Sequence, residues 1–580
     1  MKRIVPMSLV AIIVITSVWA GLSTSTSDES SLSRYFPTGS LVYLEAKDLS
    51  ALLAAWNGSP QKREWIEGSN YEVFSRSRLL LRLKAASDQF GAAAGFPPDV
   101  NFLTQVSGTR SALAIYDIGN LQFLYVTTLP WARSAQTLLW QTRTKFEPRV
   151  VAGATFYVRR DPDAKREVAF AVSGDHLLLA TRQDLIAGAL QLIAGGKDLA
   201  LTGETWWNAA VKSTGAAGDL RMVLNLGKIV PSPYFRTYWV QQNITELKQY
   251  AAAVSDLYRS GLEFREERVL VRKSSTSGGT DVGSSLTGAS NTNASPAAGK
   301  ASDLVRLVPD DAGIYKAEMN PSVESCVDLL RSKLLEATPP IAPASKTAPQ
   351  VQLGTGETGS WSDLETRIDQ PIAESSIVHS DLSALRRLLE QNRVTSSLTI
   401  QSTALIRSGV FVEMRSAVVL EGASPWNAEE AGSALVHAVR PELTAGQLGL
   451  AWIAKPGYRE LNGLWPLFFS VSGPTLIVTN DETLMQQLQS NVARKAAEDP
   501  ASLRAEFRHA QELGNFAALS RVIDRPFGPV DRARPSQDPQ FFSDNISSLS
   551  SALSDIASVK VRIRNDGEVV RQTITYTWSK

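Results

Sequence analysis

Apolar and polar positions along the chain repeat one local pattern twice. Phe170–Ile193, FAVSGDHLLLATRQDLIAGALQLI, reads as an apolar strand, a Ser-Gly turn, a second strand and a helix, and Phe469–Ser490, FSVSGPTLIVTNDETLMQQLQS, reads the same way. The expected helix starts are Thr181-Arg-Gln-Asp184 and Thr479-Asn-Asp-Glu482, each a Thr cap with an acid three residues on. Leu185, Ile186, Leu190 and Ile193, and then Leu484, Met485 and Leu488, fall at helical spacing and predict a buried stripe on each helix. Upstream, the runs 112–117 and 121–128 predict a hairpin across Gly119-Asn120, and Pro130-Trp131 predicts a helix carrying Ala135, Leu138 and Leu139. GETWWNAAV predicts a helix with Trp206 and Trp207. A helix from Asn243 and strands at 252–258 and 262–271, joined at Ser260-Gly261, close the first half.

The second half repeats this order. Tyr43 matches Tyr315 at an offset of 272, Pro130-Trp131 matches Pro425-Trp426 at 295, Ser173-Gly174 matches Ser472-Gly473 at 299, and Asn243-Ile244 matches Asn545-Ile546 at 302. Collinear matches with a slowly growing offset predict an internal duplication. The expected fold class is therefore α+β: two tandem homologous domains, each an antiparallel β-sheet packed with helices. The expected boundaries are 1–20 for a signal peptide or N-terminal anchor, 21–34 for a polar spacer and 35–273 for the first domain. A Ser/Gly/Thr-rich linker at 274–302 and the second domain at 303–580 follow, with a disordered insertion at 336–360.

The leader consists of Lys2 and Arg3 ahead of the apolar run Ile4–Ala20, which fits a charged n-region and an h-region. It predicts an extracytoplasmic protein, periplasmic or secreted, anchored to the inner membrane if the segment stays uncleaved. The opening stretch YFPTGSLVYLEAKDLSALLAAWNGSPQKREWIEGSNYEVFSRSRL resembles a secreted family common in acidobacteria, related to a broader bacterial domain of unknown function. That resemblance implies export and brings no catalytic residue or cofactor with it.

Charge and cysteine content narrow the function classes. A net charge of +1 argues against a nucleic-acid partner, and the single Cys326 allows no internal disulfide. Charge divides unevenly along the chain: residues 35–273 carry 28 Lys+Arg against 22 Asp+Glu, and residues 303–580 carry 27 against 33. Halves of opposite sign predict an intramolecular docking that loosens as salt rises.

Candidate chemistry is thin. Ser59-Pro-Gln-Lys62 fits the S-x-x-K pattern of serine enzymes, but without a K-T-G strand it reads as a helix cap with Pro60 at the first helical position. Gly354-Thr-Gly356-Glu-Thr-Gly359, with Asp381 beyond it, formally fits a dinucleotide loop but lacks the strand and long helix that such a loop needs. His176, His379, His437 and His509 stand singly, without ligand spacing, and His176 reads as solvent-facing. Cys326 reads as a core thiol beside Val323, Val327 and Leu330. The tryptophans, among them Trp56, Trp65, Trp131, Trp140, Trp206, Trp207, Trp239, Trp361, Trp426, Trp452 and Trp465, read as core, with Trp131 and Trp426 as matched anchors. No catalytic, cofactor-binding or metal residue is expected. The preferred function is a non-catalytic cell-envelope binding or interaction protein; the alternative is a carrier or sensor of an apolar envelope ligand, and a cryptic hydrolase ranks below both. An apolar pocket would favour the carrier, and a closed core with an exposed apolar patch would favour the interaction protein.

Overall fold

The computed structural model describes residues 31–67, 71, 75, 78–161, 166–196, 200–232, 247–273, 303–335, 382–405, 412–439, 451–461, 466–495, 501–512 and 556–579. The leader, the linker 274–302, the insertion 336–360, the Gly354–Gly359 motif with Asp381, and His379, Trp239, Trp361 and Trp465 lie outside them. The chain divides into two compact units, one made of Met1–Ala301, Thr403–Glu413 and Glu498–Lys580, the other of Ser302–Ser402 and Met414–Ala497. Helices and antiparallel sheet make it an α+β protein.

In the first unit the strands are β1 (Val42–Ala46), β2 (Ser111–Asp117), β3 (Gln122–Thr128), β4 (Glu147–Val151), β5 (Ala154–Asp161), β6 (Arg166–Ser173), β7 (His176–Ala180), β8 (Leu220–Leu224), β9 (Tyr250–Ser260) and β10 (Glu263–Arg272). They pair antiparallel in the order β4-β5-β6-β7-β3-β2-β1-β8-β9-β10. The helices are α1 (Leu49–Gly58), α2 (Pro60–Glu67), α3 (Arg78–Ala94), α4 (Val100–Val106), α5 (Gln183–Ile193) and α6 (Thr205–Lys212). Both faces of the sheet are covered, so its central strands are apolar almost throughout instead of alternating. Tyr43, Ala112, Ala114, Leu124, Val126, Leu178 and Ala180 face Leu185, Ile186 and Leu190 of α5 and Trp207 of α6. Their neighbours Leu44, Leu113, Tyr125 and Leu179 point the other way and pack with Ala93 of α3 and Phe102 and Val106 of α4.

The β6–β7 turn sits where the Ser-Gly signal placed it: Ser173 pairs with His176, and Gly174 has φ +57°, a conformation that favours glycine. The cap of α5 differs from expectation. Thr181 Oγ1 instead accepts from Phe123 N at 2.9 Å, Asp184 turns to the Arg182 guanidinium at 2.9 Å, and Glu167 of β6 accepts from Gln183 N. A cross-strand amide thus outcompetes the local one. The helix expected after Pro130 forms as two short pieces, Trp131–Ser134 and Leu138–Gln141.

The second unit has β11 (Ile314–Met319), most of β12 (Val394–Leu405) and of β13 (Val412–Gly422), β14 (Trp452–Lys455), β15 (Tyr458–Leu461), β16 (Leu467–Ser472) and β17 (Thr475–Thr479). Its helices are α7 (Val323–Leu330), α8 (Ser383–Asn392), α9 (Ala428–Ala438) and α10 (Glu482–Asn491). β14-β15-β16-β17-β13 pair in sequence, as β4-β5-β6-β7-β3 do, and β11 pairs β12 as β1 pairs β2. Ser472 pairs with Thr475 across Gly473, whose φ is again +57°. Asp481, two residues past the expected Thr479, caps α10 by accepting from Leu484 N at 2.7 Å, while Thr479 Oγ1 donates to Ser416 O at 2.7 Å.

Three last strands, β18 (Leu503–Phe507), β19 (Ile556–Asn565) and β20 (Val569–Trp578), return to the first unit. β20 pairs antiparallel with β10 over Glu263↔Thr577 to Val271↔Val569, and Tyr250, Leu270, Leu503, Ile563 and Val570 share one core. The boundary expected at 303–580 therefore corresponds to no single compact unit, because Glu498–Lys580 completes the first. The β10–β20 ladder places no acid directly opposite a base, and backbone hydrogen bonds and apolar burial hold it.

Candidate functional site

A cavity of about 200 Å³ lies within the first unit, between one sheet face and three helices. The strand period of two puts Leu44, Leu113, Ile115, Phe123 and Leu179 on its floor. The roof is Leu52 and Leu53 of α1, Leu83 and Phe90 of α3, and Leu103 and Val106 of α4. Leu83, Ala86, Ser87 and Phe90 line it at the spacing of one helix face. Side-chain caps fix two roof helices: Asp48 accepts from Ala51 N and Asp99 from Phe102 N, each at 2.8 Å.

Strand register gives the cavity two ends. At one, the Ser111 and Thr127 hydroxyls lie 2.6 Å apart and the Tyr125 hydroxyl donates to Val106 O at 2.9 Å. Burial pushes the Tyr125 phenol above its usual pKa and keeps it a neutral donor. These polar groups are spent on each other, which leaves an apolar wall. At the β2–β3 hairpin end stand Gln89, exposed Asn120, Arg166, Glu167 and Thr181. Leu121 lines this end with φ +47°, a strained backbone for a leucine.

Arg166 donates from Nε to Gln89 Oε1 at 2.9 Å and from Nη1 to Asn120 O at 2.5 Å, tying α3 to the hairpin. Both acceptors are neutral. Glu167 differs, since Oε2 meets Arg160 Nε at 2.9 Å and Oε1 takes the Gln183 amide. Burial opposes the Asp117 charge, but the Asn120 amides, Gly119 N and the nearby Arg166 charge hold its carboxyl below the usual range. In the sequence Thr181 and Asn120 were singled out only as a helix cap and a hairpin turn, and Gln89, Arg166 and Glu167 were not singled out at all. The apolar lining residues look like ordinary core positions, and only the three-dimensional gap separates floor from roof.

The residues that were singled out lie elsewhere. Ser59 Oγ accepts from Lys62 N at 3.2 Å as a cap and donates to Trp56 O, while Lys62 Nζ reaches Asn57 Oδ1 at 2.6 Å. The pair is thus a helix start, as the Pro60 spacing implied. His176 is half-buried with its ring 5.2 Å from Tyr35, and burial with the Arg34 charge lowers its pKa, in place of the solvent-facing role expected. His437 Nδ1 lies 2.7 Å from Ser433 O at the end of α9, and His509 is buried in the first unit. Cys326 is buried with Val327 and Leu330, and burial and the Glu318 charge push its thiol up to about 12. Among the described residues no group of three or more His, Cys, Asp and Glu could hold a metal ion. No described helix is long and apolar enough to cross a membrane.

Trp426 is a buried anchor whose Nε1 donates to Pro474 O at 2.7 Å, whereas Trp131 is 51% exposed and rests edge-on against Trp140 at 4.7 Å. The expectation of matched core anchors therefore fails at Trp131, whose short helix stops after one turn and leaves the indole outside.

No family model and no curated protein matches the chain. Three crystal forms of TP0453 (forms IV, I and III) are similar at 10%, 11% and 12% identity, with TM-scores of 0.22, 0.23 and 0.22. Each covers 41–43% of this chain and 79–82% of that one, and likeness at this level carries nothing over.

Proposed function

We propose that the first unit is a carrier or sensor for an apolar ligand. The observation that carries this reading is the cavity of about 200 Å³ with almost wholly apolar walls. It exceeds the ~150 Å³ at which an apolar cavity stays dry and takes up benzene. At roughly 24 cal/mol per Å³, leaving such a volume unfilled costs on the order of 5 kcal/mol, which an apolar occupant recovers. The pattern at Lys2–Ala20 favours an extracytoplasmic setting, where an envelope lipid or its breakdown product is the available apolar ligand.

We read the two halves as copies of one ancestral unit, of which the first has kept or gained this cavity. The shared strand order and the matching Gly174 and Gly473 turns support that reading. An environment-sensitive apolar dye tests the function. It should bind the full chain and be displaced by medium-chain hydrocarbons, and Ala86→Phe, which fills the roof, should abolish both effects without lowering Tm. Dye binding that Ala86→Phe leaves unchanged would place the apolar site elsewhere and overturn the assignment.

A further inference from the structure

We infer that the ligand is a single-chain anionic amphiphile, a fatty carboxylate, with its tail along the cavity and its head at Arg166; the inference rests on the carrier reading. Two charged side chains line the cavity, and they differ in what they can still do. Both Glu167 oxygens are engaged, by Arg160 Nε at 2.9 Å and by the Gln183 amide. Arg166 has five N–H donors and spends one on Gln89 Oε1 and one on Asn120 O. Among the described residues it makes no ion pair within 4 Å. Asp117 lies near enough to feel its charge, and Asp161 stands across from it in the β5–β6 register. The lining therefore offers a cation with open donors and no ion-pair partner within 4 Å among the described residues, and a carboxylate whose charge Arg160 already offsets, so a carboxylate is the head it can hold by paired, charge-assisted hydrogen bonds.

Geometry supplies the rest. The exposed Asn120 of the hairpin marks one end, and the floor runs along β2 from Ile115 to the buried Ser111. At about 3.4 Å per residue that is roughly 14 Å, a run for one medium-length chain. About 200 Å³ along a single run of floor suits one chain.

The test measures binding of decanoate, 1-decanol and decyltrimethylammonium to the full-length protein by calorimetry, with Arg166→Gln and Arg166→Lys beside the parent. Decanoate should bind about tenfold tighter than decanol, the worth of one charged hydrogen-bonded contact. Arg166→Gln should erase the preference, so that this variant binds decanoate and decanol equally, and Arg166→Lys should keep part of the preference, which controls for folding. Equal binding of decanoate and decanol by the parent, or tightest binding of the ammonium, would overturn the head-group assignment and leave the carrier standing. Failure of all three probes would overturn the carrier reading and this inference with it.

Discussion

Phe264 of β10 and Tyr576 of β20 face each other across an antiparallel ladder, with ring centroids 5.9 Å apart. They come from opposite halves of the chain, yet they belong to one compact unit. Cleavage in the 274–302 stretch should therefore leave two pieces that stay together. A chain nicked there should elute as one species in native gel filtration at low and high salt alike, and separate only in denaturant. Release of free fragments by salt alone would instead make charge-driven docking the main attachment.

Arg221 and Asp256 form a buried fork, with Nε–Oδ1 at 2.7 Å and Nη2–Oδ2 at 2.8 Å, and Gly218 N also donates to Oδ1. Removing the carboxylate takes both charge-assisted hydrogen bonds of the fork away from a buried guanidinium. Asp256→Ala should cost about 3–5 kcal/mol in chemical denaturation. A loss under ~1 kcal/mol, the range of an exposed pair, would show that the site is solvated.

Gly174 and Gly473 share φ +57°, and a Cβ at either meets nothing within 4 Å. Only backbone strain then opposes alanine, at about 1–2 kcal/mol. Gly174→Ala and Gly473→Ala should destabilise by similar amounts, measured by thermal melts, and asparagine should be tolerated better than alanine at both. Clearly unequal costs would mean that the two turns do not bear equivalent loads.

How much of this was legible follows from the range of the forces involved. The hairpins at Gly119-Asn120, Ser173-Gly174 and Ser472-Gly473 were readable because turn chemistry is local. So were the buried faces of α5 and α10, because helical spacing is local. The Thr181 cap was misread because Phe123 N, far off in sequence, reaches the same oxygen. The β10–β20 pairing has no local signature, since nothing near either strand in sequence names a partner some three hundred residues away. The cavity left no trace because Leu52, Leu83 and Leu113 look the same in sequence whether they touch across the core or stand apart.

Burial and Glu318 push the Cys326 thiol up to about 12, so almost none of it is thiolate near neutral pH. Maleimide or disulfide reagents should leave the native protein unlabelled at pH 8 and label it stoichiometrically once unfolded. Rapid native labelling would mean that the α7 core opens readily.

The carrier reading is tested most directly by native mass spectrometry of the full chain purified from its own source without organic solvent. The account predicts a bound mass of one single-chain amphiphile per protein, lost on solvent extraction and absent from Ala86→Phe. A parent protein that flies only at its polypeptide mass, and takes up no such chain when one is offered after extraction, would contradict it.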